Sequence, residues 1–425
     1  MSGLHWNFLP ACILALTLFN TSLSAAPAAG NGGVAFDETA PASLSNALRT
    51  VIEQHPRRRA AQAQLQARRA ALRAADKALY NPELELDTEK TGVRTSYIQL
   101  SQTIDMGDRR GSRTHRAEAQ LLGAEAGYER AMQELARDLL AALAEQRTRE
   151  ALADLARQGL GLMREFSDIA ERRFRAGDLT QVELDLARLA YSEALMTQAQ
   201  ALSEAAAANE ALQAIFIRLP ASLPELPDEL PRARLPEDAD FIRSLPLMRI
   251  LEAEVAAKRH TVALRKSERS WDPTIALRGG KEDSESLVGA TLSIPLNVRN
   301  SFRAEVEEAQ QELIRAEQLA QQTFRDQRAR VRATSERYRL LQQAWDNWRR
   351  SGRISVERQL ELIKKIWRAG DMSTTEYLVQ LKQALDTRAA GYELRGRVWL
   401  AGFDWLLATA SIDDWLQLPL EGEEK

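Results

Sequence analysis

The sequence predicts a mainly helical protein with a small β part, in which one series of elements occurs twice. Helically periodic runs of Ala, Leu, Gln, Glu and Arg fill most of the 425 residues, while aromatic residues make up only 6%. This composition favours long helices that pack through small side chains. The tetrapeptide Arg-Ala-Gly-Asp occurs at 175–178 and again at 368–371, each time where a helical pattern ends. We therefore expect long antiparallel coiled-coil hairpins in two internal repeats, each repeat carrying one β-hairpin.

The N-terminus predicts a secretory signal peptide over residues 1–25. Its apolar run, Phe8 to Phe19, is shorter than the roughly 20 residues that a spanning helix needs, and small residues follow it. No Lys or Arg precedes the run, so a buried N-terminal helix is the alternative. The only cysteine, Cys12, lies inside the run. A cleaved chain is therefore expected to have no disulfide, reactive thiolate or lipid-bearing cysteine.

Composition and motifs argue against catalysis and against nucleic-acid binding. The net charge is −3, whereas a nucleic-acid-binding protein should show a dominant basic surface. His55, His115 and His260 are far apart in sequence and show no metal-ligand spacing. No phosphate-binding loop or nucleophile elbow occurs. We expect no enzyme activity, no cofactor and no bound metal.

The first repeat is expected over residues 44–218, after an N-terminal spacer at 26–43. Its first helix stops at Asn81-Pro82, because proline cannot continue a helix. The period then changes from 3.6 to 2, which indicates a β-hairpin with one apolar and one polar face. Heptad-like spacing of apolar residues follows. The expected elements after the first helix are the β-hairpin at 83–105, a long helix at 108–175 and a return helix at 179–217.

A Pro-rich linker at 219–239 precedes the same series at 240–410. The expected elements there are a first helix, a β-hairpin at 274–296, a long helix at 301–368 and a return helix at 373–410, followed by a C-terminal tail at 411–425. Three landmarks fix the offset between the repeats. Pro56 to Pro246 is 190 residues, Pro82 to Pro273 is 191, and Gly177 to Gly370 is 193. Chance would not keep these landmarks in register, so the chain contains an internal duplication.

Two β-hairpins supply only four strands, and small closed barrels need about eight or more. No later segment is apolar enough for a transmembrane helix. We therefore expect several chains to pool their hairpins into one barrel and their helices into one tube, and three chains would give a 12-stranded β-barrel.

Several of these features together resemble the TolC-like outer-membrane efflux duct family. The resemblance rests on the doubled element order, the strand entries Asn81-Pro82 and Asp272-Pro273, the two Arg-Ala-Gly-Asp bends and the stretch Ile294 to Asn300. It covers nearly all of the chain after the signal peptide. The stretch at 294–300 looks like the heavy-metal-efflux branch, which would make metal cations a possible cargo.

The resemblance implies a homotrimer in the outer membrane of a Gram-negative cell, in contact with outer-membrane lipid. A 12-stranded β-barrel would join a periplasmic α-helical tunnel. The implied partners are a periplasmic adaptor of the membrane fusion type and an inner-membrane pump of the resistance-nodulation-division type. The chain would be the passive channel component of a tripartite efflux system.

The resemblance also implies roles for residues at the bends. Acidic residues there would narrow the tunnel mouth, and the candidates are Glu376, Glu183 and Asp371. The alternative for Glu183 and Glu376 is a capping box with Thr180 and Ser373, and both roles can coexist. The hairpin tips would contact the adaptor, although solvated turn residues are the alternative. The tip candidates are Arg175, Gly177, Asp178, Arg368, Gly370 and Asp371.

Two further groups lie near the β-hairpins. Basic residues cluster where the first hairpin becomes helix, and they would meet anionic head groups, line the lumen or simply be solvated. This cluster contains Arg109, Arg110, Arg113 and Arg116, with His115 among them. Three aromatic residues, Tyr80, Tyr97 and Trp271, are candidates for an interfacial belt.

Two other functions share parts of this pattern. One is a periplasmic coiled-coil adaptor or scaffold without a barrel, which would have no use for two strand pairs with continuous apolar faces. The other is the exit duct of a type I protein secretion system, which shares the whole architecture.

Overall fold

The computed structural model describes residues 39–90, 92, 94–217, 222–232 and 238–418. The predicted signal peptide with Cys12 lies outside the described residues. So do most of the spacer, two short pieces of the Pro-rich linker and the last seven residues of the chain.

The first repeat begins with two helices that break at His55. This residue has an extended backbone because the following Pro56 disfavours the helical conformation in the residue before it. Helix α3 has 68 residues and is therefore about 100 Å long. The elements are α1 (Ala42–Gln54), α2 (Pro56–Ala75), β1 (Glu83–Lys90), β2 (Arg94–Thr103), α3 (Arg109–Ala176) and α4 (Gln181–Phe216).

The second repeat follows the same order, with the short helix α5 (Ala239–Ser244) in the place of α1. Its elements are α5 (Ala239–Ser244), α6 (Pro246–Ser267), β3 (Thr274–Glu282), β4 (Glu285–Ser293), α7 (Arg303–Asn347), α8 (Arg353–Ala369), α9 (Thr374–Ala408) and α10 (Ile412–Leu416). The described residues are thus mainly helical with a small antiparallel sheet. None of the described helices is both long and apolar enough to cross a membrane.

The two β-hairpins form one four-stranded antiparallel sheet in the order β1-β2-β3-β4. The central pair, β2 and β3, joins the two repeats with a register that runs from Thr95 opposite Glu282 to Thr103 opposite Thr274. Strands β1 and β4 lie at the edges, and neither has a second partner among the described strands. Each chain therefore offers two open sheet edges.

Both long helical arms end at a glycine with a left-handed backbone. The φ angles are 85° at Gly177 and 88° at Gly370, a region where side chains other than hydrogen are strained. The Asp178 N–H donates to the Arg173 carbonyl (2.9 Å), and the Asp371 N–H donates to the Ile366 carbonyl (3.2 Å). This six-to-one hydrogen bond is the Schellman ending of a helix, and it turns the chain back on itself.

The main core lies where α3, α9 and α10 meet. Its largest fully buried side chains include Phe403, Trp405 and Trp415. The segment expected as a C-terminal tail from residue 411 therefore begins with helix α10, which buries Ile412, Trp415 and Leu416. Local sequence did not indicate this helix, because it is only five residues long and depends on the core for its stability.

Residues 222–232 of the Pro-rich linker form a strap across this core. Two of its own side chains, Leu226 and Leu230, are buried in the core. The Trp399 indole N–H donates to the Pro227 carbonyl (2.9 Å), and the Tyr338 hydroxyl donates to the Pro231 carbonyl (2.8 Å). Proline lacks an N–H but keeps its carbonyl, so the strap is held mainly by hydrogen bonds that its backbone carbonyls accept.

The long helix expected over 301–368 is interrupted. A single π-helical segment, Trp348–Gly352, separates α7 from α8. The Trp348 ring occupies the space beside Gly352 and Gly391, where added Cβ atoms would lie 2.2 and 2.6 Å from the indole. Two glycines, one in the π-helical segment and one in α9, therefore make room for one large ring.

Candidate functional site

The sheet has one apolar and one polar face, and the apolar side chains are exposed. Residues directly opposite each other in the register share a face, so the leucines and isoleucines of all four strands, except Leu287, meet on the same side. The exposed fraction ranges from 46% at Ile275 to 88% at Val288. A contiguous exposed apolar surface marks an interaction site on a protein or membrane. It is formed by Leu84, Leu86, Ile98, Leu100, Ile275, Leu277, Val288 and Leu292.

The opposite face carries polar contacts. Gln99 donates to Glu85 across the β1–β2 pair (2.8 Å), and the Arg278 guanidinium lies 5.8 Å from the centre of the Tyr97 ring. Gly280 lies directly against Tyr97, and an added Cβ would come 2.1 Å from the Ser96 carbonyl oxygen. Tyr97 therefore belongs to the polar face, which removes it from the expected aromatic belt.

The other two belt candidates differ from each other. Trp271 is 59% exposed, as a belt residue would be. Tyr80 is half-buried, and its hydroxyl donates to Asp272 (2.6 Å), which also forms an ion pair with Arg109 (3.0 Å). Of the three candidates, only Trp271 keeps the exposure that the interpretation needs.

The basic cluster at the start of α3 is largely occupied by contacts within the chain. Besides its ion pair with Asp272, Arg109 donates to the carbonyl of Ser270 (3.1 Å). Arg110 pairs with Asp76 (2.9 Å), and Arg113 donates to the Ala74 carbonyl (3.2 Å). These three arginines tie the sheet to α2, α3 and the end of α6.

Two histidines that are far apart in the sequence are neighbours in the structure. The rings of His115 on α3 and His260 on α6 lie 5.4 Å apart, and His115 contacts Glu118 (3.0 Å). Burial, and next the adjacent His115, lower the pKa of His260. Within the described residues, no group of three or more His, Cys, Asp or Glu side chains could hold a metal ion.

The first bend carries a complete capping box. The Glu183 N–H donates to the Thr180 hydroxyl oxygen (3.3 Å), and the Thr180 N–H donates to the Glu183 carboxylate (2.9 Å). This backbone bond and the Thr180 hydroxyl hold the pKa of Glu183 below its ordinary value. The Glu183 carboxylate is therefore committed to the start of α4.

The second bend carries only half of this arrangement. The Glu376 N–H donates to the Ser373 hydroxyl oxygen (3.2 Å). The Glu376 carboxylate does not return to the Ser373 N–H, and its described partner is instead the side-chain amide of Gln380 (3.4 Å). The same sequence motif thus leaves the carboxylate of Glu376 freer than that of Glu183.

The charged tip residues also differ between the bends. Arg175 contacts Glu171 on its own helix (3.3 Å), whereas Arg368 on α8 forms an ion pair with Glu165 on α3. Lys364 also reaches Glu165 (3.1 Å). The first bend is therefore stabilised locally, and the second is tied to the other hairpin. Within the described part of the chain, neither Asp178 nor Asp371 has a side-chain ion pair.

An aromatic cluster lies just inside the bends. Phe166 of α3 packs against Trp367 of α8 and Tyr377 of α9, with ring centres 5.3 and 5.5 Å away. Arg173 lies over the Trp367 ring (5.3 Å) and donates to the Trp367 carbonyl (3.1 Å). Sequence reasoning missed this cluster and Glu165, because each contact joins residues that are about 200 positions apart and no local pattern marks them.

The model of a family described as outer membrane efflux protein matches residues 47–216, from α1 to the end of α4. The first repeat is therefore similar to members of the outer membrane efflux protein family. No protein with a curated description matches the chain by sequence.

Solved outer-membrane channels share the fold of most of the chain. CusC, whose structures describe transmembrane channel formation, is 16% identical over 88% of this chain and 92% of its own, with a TM-score of 0.73. The CmeC outer membrane channel of Campylobacter jejuni is 13% identical over 88% and 89%, with a TM-score of 0.72. The open-state MtrE outer membrane channel of Neisseria gonorrhoeae is 15% identical over 88% and 90%, with a TM-score of 0.73.

The family match over the first repeat bears out the predicted resemblance to outer-membrane efflux ducts, and solved outer-membrane channels share the fold. Proteins of the outer membrane efflux family are transport channels, which agrees with the expectation of no enzyme activity. The shared fold agrees with the expected mainly helical class with a small antiparallel sheet. The heavy-metal branch is not distinguished, because the matched channels are similar to this chain by nearly the same amount.

Proposed function

We propose that this chain is the outer-membrane channel component of a tripartite efflux system. In this assembly, three copies form a closed 12-stranded β-barrel continuous with an α-helical tunnel. One observation carries the proposal: the four-stranded sheet exposes a continuous apolar face while its other face is polar. Such a face suits the hydrocarbon of a bilayer, and the polar face suits a water-filled lumen.

The two open edges support closure between copies. An edge strand in a bilayer leaves backbone groups without partners, which costs several kcal/mol for each group. Edge β4 of one copy can pair with edge β1 of the next, and repetition around an axis removes every edge. Two copies would give eight strands, whose interior is filled by side chains, whereas three copies give twelve and leave room for a channel.

The helices support a tunnel on the other side of the sheet. Several apolar side chains on α4 remain exposed at seven-residue spacing, namely Val182, Leu189 and Met196. This spacing is that of a coiled-coil seam without a partner in its own chain. In the trimer it packs against helices of the next copy.

The bends form the far end of the tunnel, where the proposal places the aperture and the adaptor contact. Glu376 and Asp371 line the aperture, since their carboxylates make few contacts within the chain. Glu183 contributes less, because capping holds its carboxylate. The tips Arg175, Gly177, Asp178, Arg368 and Gly370 meet a periplasmic adaptor that links the duct to an inner-membrane pump.

The test uses two arginine substitutions on β4 that differ only in the face they occupy. Val288→Arg places a charge on the apolar face, where it would cost about 2–4 kcal/mol at the bilayer midplane. Thr291→Arg places the same charge on the polar face. We expect the wild type and Thr291→Arg to form heat-resistant trimers in vesicles and to conduct ions. Val288→Arg should fail to insert.

Equal insertion by both variants would overturn the assignment of the faces. A wild-type chain that remains an elongated monomer or dimer without membrane association would overturn the barrel. A periplasmic scaffold would then be the better reading.

A further inference from the structure

The apolar face continues beyond the ends of the strands on the helix side. Even-numbered residues carry this face in β2 and β4, and odd-numbered residues carry it in β3. The same alternation extends into the connecting segments, where exposed apolar side chains continue to occur at every second residue. These are Ile104 and Met106 after β2, Trp271 before β3, and Ile294, Leu296 and Val298 after β4.

Exposed cations border this extended apolar face. Lys77 lies three residues before Tyr80, Arg269 lies two residues before Trp271, and Arg299 follows Val298 directly. Arg303 begins α7. The Asn297 amide donates to the Arg269 carbonyl (3.2 Å), which brings the segments before β3 and after β4 together. The four cations therefore belong to one zone at the junction of sheet and helices.

No carboxylate within the described residues lies within 4.0 Å of these four cations. Six carboxylates of the junction make contacts with other groups. Asp76 pairs with Arg110, Asp272 with Arg109, Glu268 with Arg265, and Glu305 accepts from Asn300. Asp105 and Asp108 accept backbone N–H bonds at the start of α3. Within the described residues, the four cations therefore have no carboxylate as an ion-pair partner.

We propose that Lys77, Arg269, Arg299 and Arg303 bind the phosphate groups of anionic phospholipids in the leaflet on the helix side of the barrel. The proposal rests on the proposed membrane orientation of the sheet. Along this surface, the apolar band is followed by an exposed tryptophan and then by unpaired cations. Membrane proteins place side chains in the same order from the hydrocarbon to the head groups of a bilayer. The arginines of the predicted cluster, Arg109 and Arg110, do not serve this role, because Asp272 and Asp76 hold them.

The experiment compares the full-length trimer with two charge-matched variants. The first variant replaces the four junction cations by glutamine (K77Q/R269Q/R299Q/R303Q). The second removes four exposed cations near the bends that have no described ion pair (R164Q/R172Q/R358Q/K365Q). Each protein is added to vesicles of phosphatidylcholine alone and to vesicles that also contain phosphatidylglycerol, and membrane association is measured at low and high salt.

The wild type should prefer the phosphatidylglycerol vesicles. In the junction variant this preference should be at least about fivefold weaker, because that is the effect of removing even one cation from an anionic surface. The bend variant should keep the preference. High salt should reduce the preference of the wild type toward that of the junction variant. Equal association of all three proteins with neutral vesicles shows that the junction variant folds and inserts.

Two results would contradict the inference in different ways. A junction variant that keeps the full preference overturns the lipid contact, and a changed ion selectivity of its channel would place the cations in the lumen instead. A wild type that enters neither vesicle overturns the proposed barrel and, with it, the lipid contact.

Discussion

The indole of Trp367 stacks on the phenol ring of Tyr377, with ring centres 4.3 Å apart and planes inclined by 11°. The two residues lie on either side of the second bend, on α8 and α9. Phe166 of the other hairpin packs against both rings. One aromatic cluster therefore holds both the bend and the contact between the two hairpins.

Replacement of Trp367 by alanine should loosen the ends of α8 and α9 without disturbing the main core. Trp367 is only 2% exposed, and truncation of a buried aromatic residue costs about 3–5 kcal/mol. Hydrogen exchange should become faster in α8 and α9 near the bend and stay unchanged around Trp405. Lys365→Ala, at an exposed position on α8, is the control and should have little effect. Unchanged exchange in Trp367→Ala would show that the cluster does not hold the bend.

The two acidic positions after the bends should respond differently to neutralisation. Glu376→Gln should lower the cation selectivity of the channel severalfold, because a ring of three carboxylates is lost in the trimer. Glu183→Gln should mainly weaken the start of α4, since its carboxylate accepts the Thr180 N–H. Single-channel reversal potentials and thermal unfolding separate the two effects. A larger loss of selectivity in Glu183→Gln would contradict the assignment.

The two bends show which features could be predicted from the sequence and which could not. The duplicated Arg-Ala-Gly-Asp motif was sufficient to place both turns, because glycine is nearly the only residue that adopts their backbone without strain. The spacing did not predict that the carboxylates of Glu183 and Glu376 make different contacts, since both residues occupy the same position after the bend. Side-chain rotamer and the neighbour Gln380 decide the difference, and neither follows from the spacing.

In the sheet, too, the local features could be predicted from the sequence and the contacts between distant residues could not. Alternation of apolar and polar residues predicted two hairpins with one apolar face each, because the side-chain period of a strand is two. The pairing of β2 with β3 joins residues about 180 positions apart, which local patterns do not encode. The ion pair of Arg109 with Asp272 also joins residues that are far apart in the sequence. A basic cluster that looked available for ligands is therefore mostly used inside the fold.

The ion pairs of Glu165 should depend on pH. The hydrogen bond from Arg368, followed by that from Lys364, lowers the pKa of Glu165. A lowered carboxyl pKa contributes stability that is present above the ordinary value and lost as the pH falls through the folded value. Glu165→Gln should therefore lower the melting temperature modestly at pH 7 and make no difference in acid below about pH 3. A pH-independent difference would mean that packing, rather than charge, explains the effect.

The buried acid of α10 should act in the opposite direction. Burial, and next the charge of Asp414, raises the pKa of Asp413 from 3.8 to about 7. The protonated form is favoured on folding, so this contribution is present below pH 3.8 and is lost as the pH rises to about 7.

Asp413→Asn removes this dependence and keeps an oxygen that can accept from Gln133. The variant should match the wild type in acid and be more stable at pH 8, by an amount on the order of 1 kcal/mol. Melting curves at several pH values test this expectation, with Asp386→Asn on α9 as the matched control. A variant that is less stable than the wild type at pH 8 would contradict the expected sign.

Joining two repeats by the strap changes the symmetry that the ring of helices must obey. Separate half-length chains, each with one hairpin, would need six identical copies to supply twelve strands, and all six bends would then be the same. Covalent fusion reduces the requirement to three-fold symmetry, so neighbouring bends are free to diverge. The glutamate of one bend can then cap a helix while the glutamate of the other bend faces the pore. In a ring of six identical halves, all six glutamates would have the same role.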